Sequence, residues 1–166
     1  MNMRIFGFLL TLTLLLNSGG SEDEQSNWSI DKAKINELLN SSTEQISIEG
    51  TTLELHAHLW RDFMPISPPE GKNIISINWL VDVDSVAIPS SIVLSEQYVI
   101  NGDSPWETSY TNEIRKTQPY LVERVSRDGP KWGPNIEVTV IAKVVDTSTN
   151  LEHFLIRENQ QILRTD

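Results

Sequence analysis

The stretch Ile136-Glu-Val-Thr-Val-Ile-Ala-Lys-Val144 alternates apolar with polar residues along most of its length. Successive side chains of a β-strand point to opposite faces of the sheet, so this period of two predicts a strand with one buried face. Residues 53–60 and 75–83 carry the same alternation, with Leu55 and Trp79 in their apolar sets. We therefore predict three half-buried strands whose apolar sets face a common core.

Weaker signals complete an all-β pattern. β-Branched and aromatic residues favour further strands at 92–100, 120–127, 151–157 and 162–165. A tight hairpin is predicted where Glu49-Gly50 separates Ile46 from Leu53. About seven or eight strands with no helix between them exclude a parallel βαβ sheet and favour an antiparallel, immunoglobulin-like sandwich. Residues 101–119 form the longest unpatterned stretch, which we interpret as a loop.

Residues 1–20 have the order of an export signal. Arg4 gives a weakly basic start, residues 5–16 are mostly apolar, and Asn17-Ser-Gly-Gly20 supplies the small residues at which a signal peptidase cuts. The apolar run is too short to cross a bilayer, which takes about 20 residues. We therefore predict a cleaved signal and an extracytoplasmic (periplasmic, cell-surface or secreted) protein without a membrane span.

The remaining chain divides into a polar segment and one domain. Residues 21–45 hold a polar linker and a short helix, which Ser29 or Asp31 caps and which extends to about Asn40. Residues 46–166 hold the strands and correspond to the sandwich domain, whose size allows a core without disulfides.

The composition of the chain indicates its cellular location and excludes one class of partner. The chain has no cysteine, which for an exported domain favours a bacterial envelope protein. Its formal net charge of −10 repels phosphates and argues against nucleic-acid binding. Catalytic signatures such as Gly-X-Ser-X-Gly, His-Glu-X-X-His or a phosphate-binding glycine loop are absent from the sequence. We therefore predict a protein that is not an enzyme and has no cofactor.

Glu54, His56 and His58 are the candidates for a metal site. They lie two residues apart along one predicted strand, so all three point to the same face, where imidazole and carboxylate groups suit a transition metal. The alternative is a polar strand surface that faces solvent, and on this interpretation no metal is bound.

Two strings of unusual composition are the candidates for ligand binding. Leu59-Trp-Arg-Asp-Phe-Met-Pro-Ile-Ser-Pro-Pro69 and Arg124-Val-Ser-Arg-Asp-Gly-Pro-Lys-Trp-Gly-Pro134 leave strands into loops stiffened by proline and glycine. Rigid loops place side chains at a low entropic cost, and arginine binds carboxylate or sulfate in a bidentate manner. The candidate binding residues are Trp60, Arg61, Asp62, Arg124, Arg127 and Trp132. In the alternative, the arginines pair internally with Asp62 and Asp128, and the two tryptophans close the ends of the sandwich.

These strings resemble those of small exported bacterial proteins, often lipoproteins, of unknown function. The similarity lies in Trp60–Pro69 and Arg127–Pro134, covers about residues 46–165, and implies a secreted bacterial sandwich without catalysis. Gly19 stands where a lipoprotein signal has its lipid-acceptor cysteine, which puts membrane attachment in doubt.

The sequence therefore predicts a non-enzymatic extracytoplasmic binding domain whose partner is a protein, a small molecule or a glycan. Loops 60–72 and 101–134 are the expected binding surface, because the unusual residues gather there. A carbohydrate-binding module is the alternative, since exposed aromatic rings stack on sugar faces; a metal-binding or hydrolytic protein is less favoured. The tryptophans available for sugar binding are Trp28, Trp60, Trp106 and Trp132.

Overall fold

The computed structural model describes residues 32–110 and 114–166. The predicted export signal at residues 1–20 lies outside them, as does Trp28. One helix and nine strands form within the described ranges. They are α1 (Lys32–Ser41), β1 (Gln45–Ile48), β2 (Thr51–Asp62), β3 (Ile75–Asp82), β4 (Ile92–Asn101), β5 (Ser104–Ser109), β6 (Ile114–Gln118), β7 (Leu121–Ser126), β8 (Glu137–Asp146) and β9 (Leu151–Thr165).

Helix α1 forms where the sequence predicts it. Ile35 and Leu38 are three residues apart, so they share one face of the helix, and each is only 5% exposed. The helix ends where Ser42 donates to the Leu38 carbonyl from its backbone nitrogen (3.1 Å) and from its hydroxyl (2.6 Å). Among the described residues, no helix has the length and apolar character that a bilayer crossing requires.

The predicted hairpin joins β1 and β2. Both turn residues, Glu49 and Gly50, have positive φ angles, of 52° and 82°. Two successive positive angles give a two-residue turn whose twist matches that of the flanking antiparallel strands. The strands then pair from Ile48↔Thr51 outward.

The strands form a curled and mostly antiparallel sheet. Eight of them follow one another in the order β5-β4-β8-β9-β2-β3-β7-β6, and β1 pairs with β2 beside this path. One pair departs from the predicted antiparallel arrangement, because β2 and β9 run parallel from Leu59↔Ile162 to Asp62↔Thr165. The sheet is therefore mixed.

Strand β9 divides the sheet into two halves. The sequence predicts two strands in this region, but the structure has a single strand of 15 residues. Its first part pairs with β8, and its end pairs with β2. We call β5, β4, β8 and the start of β9 the helix half, and the end of β9 with β2, β3, β7 and β6 the open half.

Helix α1 covers the outer face of the helix half. Ile35 and Leu38 pack there in a cluster that also holds Tyr98, Ile100, Ile141 and Ile156. Both faces of β8 are therefore buried at its centre, where Ile141 is 0% exposed although its neighbour Val140 points the opposite way.

The main apolar core lies between the inner faces of the two halves. The alternating residues of β2 and β8 supply much of it: Leu53, Leu55, Leu59, Val138, Val140, Ala142 and Val144. The inward sets predicted for these two strands are thus confirmed.

Strand β3 forms as predicted, but its apolar set faces outward. Ser76 and Asn78 are 0% exposed, whereas Ile77 and Trp79 are only half-buried. Trp79 Nε1 donates to Glu123 Oε2 at 2.8 Å on the neighbouring strand β7. The prediction of Trp79 as a core residue is wrong, because hydrogen bonds of Asn78 within the interior hold the polar set on the inner face.

Residues 101–119, predicted to be a loop, contain strands β5 and β6. Trp106 on β5 is 1% exposed, so it belongs to the core and is not available for sugar stacking. Its ring packs against Gly129, where a Cβ atom would lie 2.8 Å from the ring. Because β5 belongs to the helix half and Gly129 follows β7 of the open half, this contact joins the two halves.

Candidate binding site at the loop end

The two strings of unusual composition meet at one end of the sheet. β2 ends at Asp62 and β7 ends at Ser126, and both run antiparallel to β3, so the loops that follow them lie at the same end. The parallel pairing of β2 with β9 brings the last residues of the chain there as well. We call loop 63–74, loop 127–136 and residues 163–166 the loop end.

Arg61 joins the two loops from the inside. It lies on the inward side of β2 and is 3% exposed. Its guanidinium donates to the backbone carbonyls of Lys72 (2.9 Å), Lys131 (3.1 Å), Gly133 (2.8 Å) and Glu70.

These four bonds hold the loops to each other. A hydrogen bond to a charged group contributes about 1.5–3 kcal/mol. Burial lowers the pKa of Arg61, but a guanidinium stays charged at neutral pH. Arg61 therefore directs its donors at the two loops and not at solvent, which places it closer to the internal alternative than to a ligand contact.

Asp62 faces outward and orders the start of loop 63–74. Its carboxylate accepts from Lys72 Nζ and from the backbone nitrogen of Met64, both at 2.8 Å. The bond from Lys72, followed by that from Met64, holds the pKa of Asp62 below its ordinary value. The ion pair of Asp62 is thus with Lys72, whereas the internal alternative paired it with an arginine.

Two arginines lie near the ring of Phe63, a feature that the sequence does not reveal. The guanidinium carbons of Arg61 and Arg164 are 5.0 Å and 4.0 Å from the ring centroid. Gly71 lies against the same ring with a φ angle of 76°, so both the contact and the backbone conformation require glycine there. Arg164 reaches this ring only because β9 pairs in parallel with β2.

The tip of loop 63–74 exposes apolar side chains. Ile66 is 91% exposed and Met64 is 46% exposed. Two turns fix the tip, since the Ser67 nitrogen donates to the Met64 carbonyl (2.7 Å) and the Gly71 nitrogen donates to the Pro68 carbonyl (2.8 Å). The loop end therefore presents an apolar tip on an ordered base.

The charges of the loop end nearly balance. Counted with Arg61 and Asp62 at the adjoining end of β2, its cationic side chains are Arg61, Lys72, Arg127, Lys131 and Arg164, and its acidic ones are Asp62, Glu70, Asp128 and Asp166. One surface ion pair, Lys131 Nζ to Glu70 Oε1 at 2.9 Å, links the two loops. In a chain of net charge −10, this end does not repel an acidic partner as the remainder does.

Trp60 and Trp132 take different positions. Trp60 points outward from β2 and is half-buried, with its ring centroid 5.3 Å from that of His58. Trp132 is half-buried and packs against the main core. Trp132 thus closes the loop end of the core, whereas Trp60 belongs to the outer face of the open half.

Arg124 and Arg127 are separated by the structure. Arg127 is exposed where loop 127–136 begins. Arg124 lies opposite Asn78 in the β3–β7 register, so it points inward, and its Nε is buried with no hydrogen-bond partner among the residues that the structure describes. The second string therefore contributes one arginine to the surface and one to the interior.

Glu54, His56 and His58 share the outer side of β2, as the period of two predicts. His56 Nε2 lies 2.6 Å from Glu54 Oε1, and this contact holds the pKa of Glu54 below its ordinary value. His58 instead packs against Trp60. Within residues 32–110 and 114–166, no group of three or more His, Asp or Glu side chains is placed to hold a metal ion.

A polar cleft of about 310 Å³ lies between α1 and the outer face of the helix half. Lys34 on the helix pairs with Glu107 at 3.1 Å, and Lys143 on β8 pairs with Glu152 at 2.6 Å. The sequence gives no sign of this cleft, since its lining residues come from distant strands. Its two lysines are satisfied by the protein itself, so we favour the loop end as the binding site.

The chain matches no protein-family model, no curated protein and no solved structure. The resemblance to small exported bacterial proteins therefore stays a prediction, and the role of the loop end is argued from its geometry.

Proposed function

We propose that this protein is a non-enzymatic binding domain that recognises a protein partner through its loop end. The observation that supports this most is the apolar tip, with Ile66 91% exposed, on a loop whose base is fastened by Arg61. An ordered loop loses little conformational entropy on binding, and an apolar side chain that lies in water gains free energy when a partner covers it.

The surroundings of the tip support a protein as the partner. Protein interfaces combine an apolar anchor with a polar rim. Lys72 and Asp62 form one ion pair beside the tip at 2.8 Å, and Lys131 and Glu70 form another at 2.9 Å. This arrangement fits a rim of charged groups around a small apolar centre.

A photo-crosslinking residue at position 66 tests the proposal in the cells that produce the protein. We expect one discrete adduct with a partner that mass spectrometry identifies. The matched control is position 86, because Val86 is also apolar and 56% exposed but follows the opposite end of β3. Identical adducts at the two positions would contradict the proposal.

The identified partner then allows a measurement of affinity. Ile66→Ser should weaken binding about tenfold or more, since a central apolar anchor contributes at least about 1.4 kcal/mol. Val86→Ser should leave the dissociation constant unchanged. An affinity that Ile66→Ser does not alter would remove the apolar tip from the interface.

We also propose that the curled sheet is an immunoglobulin-like sandwich and that the protein is exported. The core between the two halves supports the first statement, and the order of residues 1–20 supports the second. N-terminal sequencing of protein from the cell envelope should find a start near Ser21. An intact Met1 on cytosolic protein would contradict export.

A glycan is the second candidate ligand, on a different surface. Trp60 and Trp79 point outward from adjacent strands of the open half, and both are half-buried. Trp79 lies opposite His56, so the two indoles are offset by four residues, roughly 13 Å along the strands. Aromatic rings at intervals along a sheet face suit stacking on a sugar chain.

Titration with cellohexaose and xylohexaose tests this second candidate. Binding should change the tryptophan fluorescence, and Trp60→Ala or Trp79→Ala should abolish the change. Trp132→Phe is the control, because Trp132 packs on the core at the loop end. Fluorescence that neither oligosaccharide alters would exclude these glucans and xylans as ligands.

A further inference from the structure

The inner face of the open half holds a buried polar cluster. Ser76 and Asn78 point inward from β3, opposite Ser126 and Arg124 of β7. Ser76 and Asn78 are 0% exposed and Ser126 is 1% exposed. Buried polar groups are costly unless they form hydrogen bonds, so the partners of these side chains need to be accounted for.

Asn78 connects the cluster to the helix half. The two hydrogens of its Nδ2 are shared among three acceptors, namely Ser76 Oγ (3.4 Å), Tyr110 Oη (3.1 Å) and Gln97 Oε1 on β4. Burial raises the pKa of Tyr110, so its hydroxyl keeps its proton. Because that hydroxyl accepts from Asn78, its own proton is available for a further acceptor.

Four polar atoms of the cluster have no hydrogen-bond partner among residues 32–110 and 114–166. They are Arg124 Nε, Gln97 Nε2, Ser126 Oγ and Asn78 Oδ1. The first two only donate, a serine hydroxyl does both, and Asn78 Oδ1 only accepts. Donors therefore outnumber acceptors in this set, so a partner that accepts hydrogen bonds would satisfy three of the four atoms.

Within the described part of the chain, Arg124 also has no counter-charge. Among residues 32–110 and 114–166, no carboxylate forms an ion pair with it. Its guanidinium acts electrostatically on Tyr110, which places its charge near the cluster. Arg61 shows the contrast, since four carbonyls surround its guanidinium. A part-buried cation without compensation is unfavourable, and an anion at this position would remove the penalty.

We propose that this cluster binds a small oxyanion, with Arg124 as its counter-charge. A carboxylate or a phosphate presents only acceptor oxygens, which match the donors of Arg124, Gln97 and Ser126. Ordered water would satisfy the same donors, but only an anion also brings a charge opposite to that of the guanidinium. The site is separate from the loop end, so a test that contradicts one of the two proposals does not affect the other.

An NMR titration of the unsubstituted protein tests the proposal. The Arg124 Nε–H and Gln97 Nε2–H₂ signals are followed as sodium acetate or sodium phosphate is added, with sodium chloride as the control for ionic strength. We expect saturable shifts with acetate or phosphate and none with chloride. Shifts with acetate alone identify a carboxylate as the ligand, and shifts with phosphate alone identify a phosphate. Signals that neither salt moves would overturn the proposal.

Thermal unfolding supplies a second readout. The anion that shifts the NMR signals should raise the melting temperature of the unsubstituted protein but not that of Arg124→Met, because a ligand stabilises only the state that binds it. Arg157→Met is the matched control, since Arg157 is another half-buried arginine, on β9. It should respond as the unsubstituted protein does. An equal rise in Arg124→Met would overturn the assignment of the site to Arg124.

Discussion

The helix half and the open half face the same core with different side chains. In the helix half, Val140 points inward and Ile141 outward, and both are 0% exposed because α1 covers the outer face. In the open half, Asn78 points inward at 0% exposure while Trp79 stays half-buried on the outer face. β8 and β3 carry the same alternation, yet they turn opposite sets toward the core.

This difference shows what a period of two can and cannot specify. Alternation predicts a strand with two unlike faces, but a shift of one residue exchanges those faces without changing the pattern. Which of the two faces turns toward the core depends on elements elsewhere in the chain. The helix half is held by apolar burial on both faces, whereas the open half depends on buried hydrogen bonds at Asn78 and Arg61.

The largest effect is expected at Arg61, because its loss would remove the hydrogen bonds that hold the two loops of the open half together. Arg61→Ala should lower the free energy of unfolding by about 3–5 kcal/mol, because carbonyls of both loops lose their donors. Arg61→Lys should recover little, since an ammonium cannot reproduce the planar fork of a guanidinium. Urea denaturation followed by tryptophan fluorescence measures both.

Arg164→Ala is the control for Arg61. Arg164 lies at the same end and over the same Phe63 ring, but its side chain is 43% exposed and pairs with Asp166. An exposed ion pair contributes about 1 kcal/mol or less. If Arg61→Ala lowered the free energy of unfolding no more than Arg164→Ala does, the open half would not depend on the hydrogen bonds of Arg61.

The next largest effect is expected from substitutions on the outer faces of the helix half and the open half. Ile141→Ala should cost about 2–5 kcal/mol, since it leaves a cavity beneath α1. Ile77→Ala, at the half-buried outer face of β3, should cost about 1 kcal/mol, because less apolar area is lost from contact. Chemical denaturation of the two variants measures the difference. Equal losses would mean that the outer face of the open half is covered in solution.

The smallest effect concerns acid stability. Bonds from Ser148 and then Thr149 lower the pKa of Asp146 on β8 from its ordinary value of 3.8, and Lys72 does the same for Asp62 at the loop end. A carboxyl group whose pKa is lowered by folding stabilises the protein at pH values above its pKa in the unfolded state. This stabilisation is lost as the pH falls through its pKa in the folded state. The melting temperatures of Asp146→Asn and Asp62→Asn should therefore approach that of the unsubstituted protein below pH 3.8.

The effects of substituting these two carboxylates should depend differently on salt concentration. Added salt should shrink the effect of Asp62→Asn, because the Lys72 ammonium is exposed and its attraction is screened. It should leave most of the effect of Asp146→Asn, because the partners of Asp146 are two hydroxyls and a backbone N–H, all uncharged. Equal salt sensitivity would contradict the assignment of hydroxyl bonds as the cause at Asp146.

The fold was predictable where its signals are local. The turn at Glu49-Gly50, the apolar pair of α1 and the alternation of β8 each lie within a short window of sequence. Strand β5 has no such alternation; it pairs with β4 from Asn101↔Ser104 to Glu96↔Ser109, and its Trp106 packs against Gly129 of the other half. The sequence likewise indicated the two strings of the loop end but not the contact of Phe63 with Arg164.

By itself, the sequence determined that this chain forms strands around an apolar core, that one short helix precedes them, and that its unusual residues lie in two stiffened loops. Local spacing and turn chemistry are sufficient for that. Only the tertiary structure decided which face of β3 is buried, that β9 spans both halves, and that Arg61 points into the protein while Ile66 points out. Those outcomes depend on hydrogen-bond partners and packing surfaces far away in the chain, and no local pattern contains them.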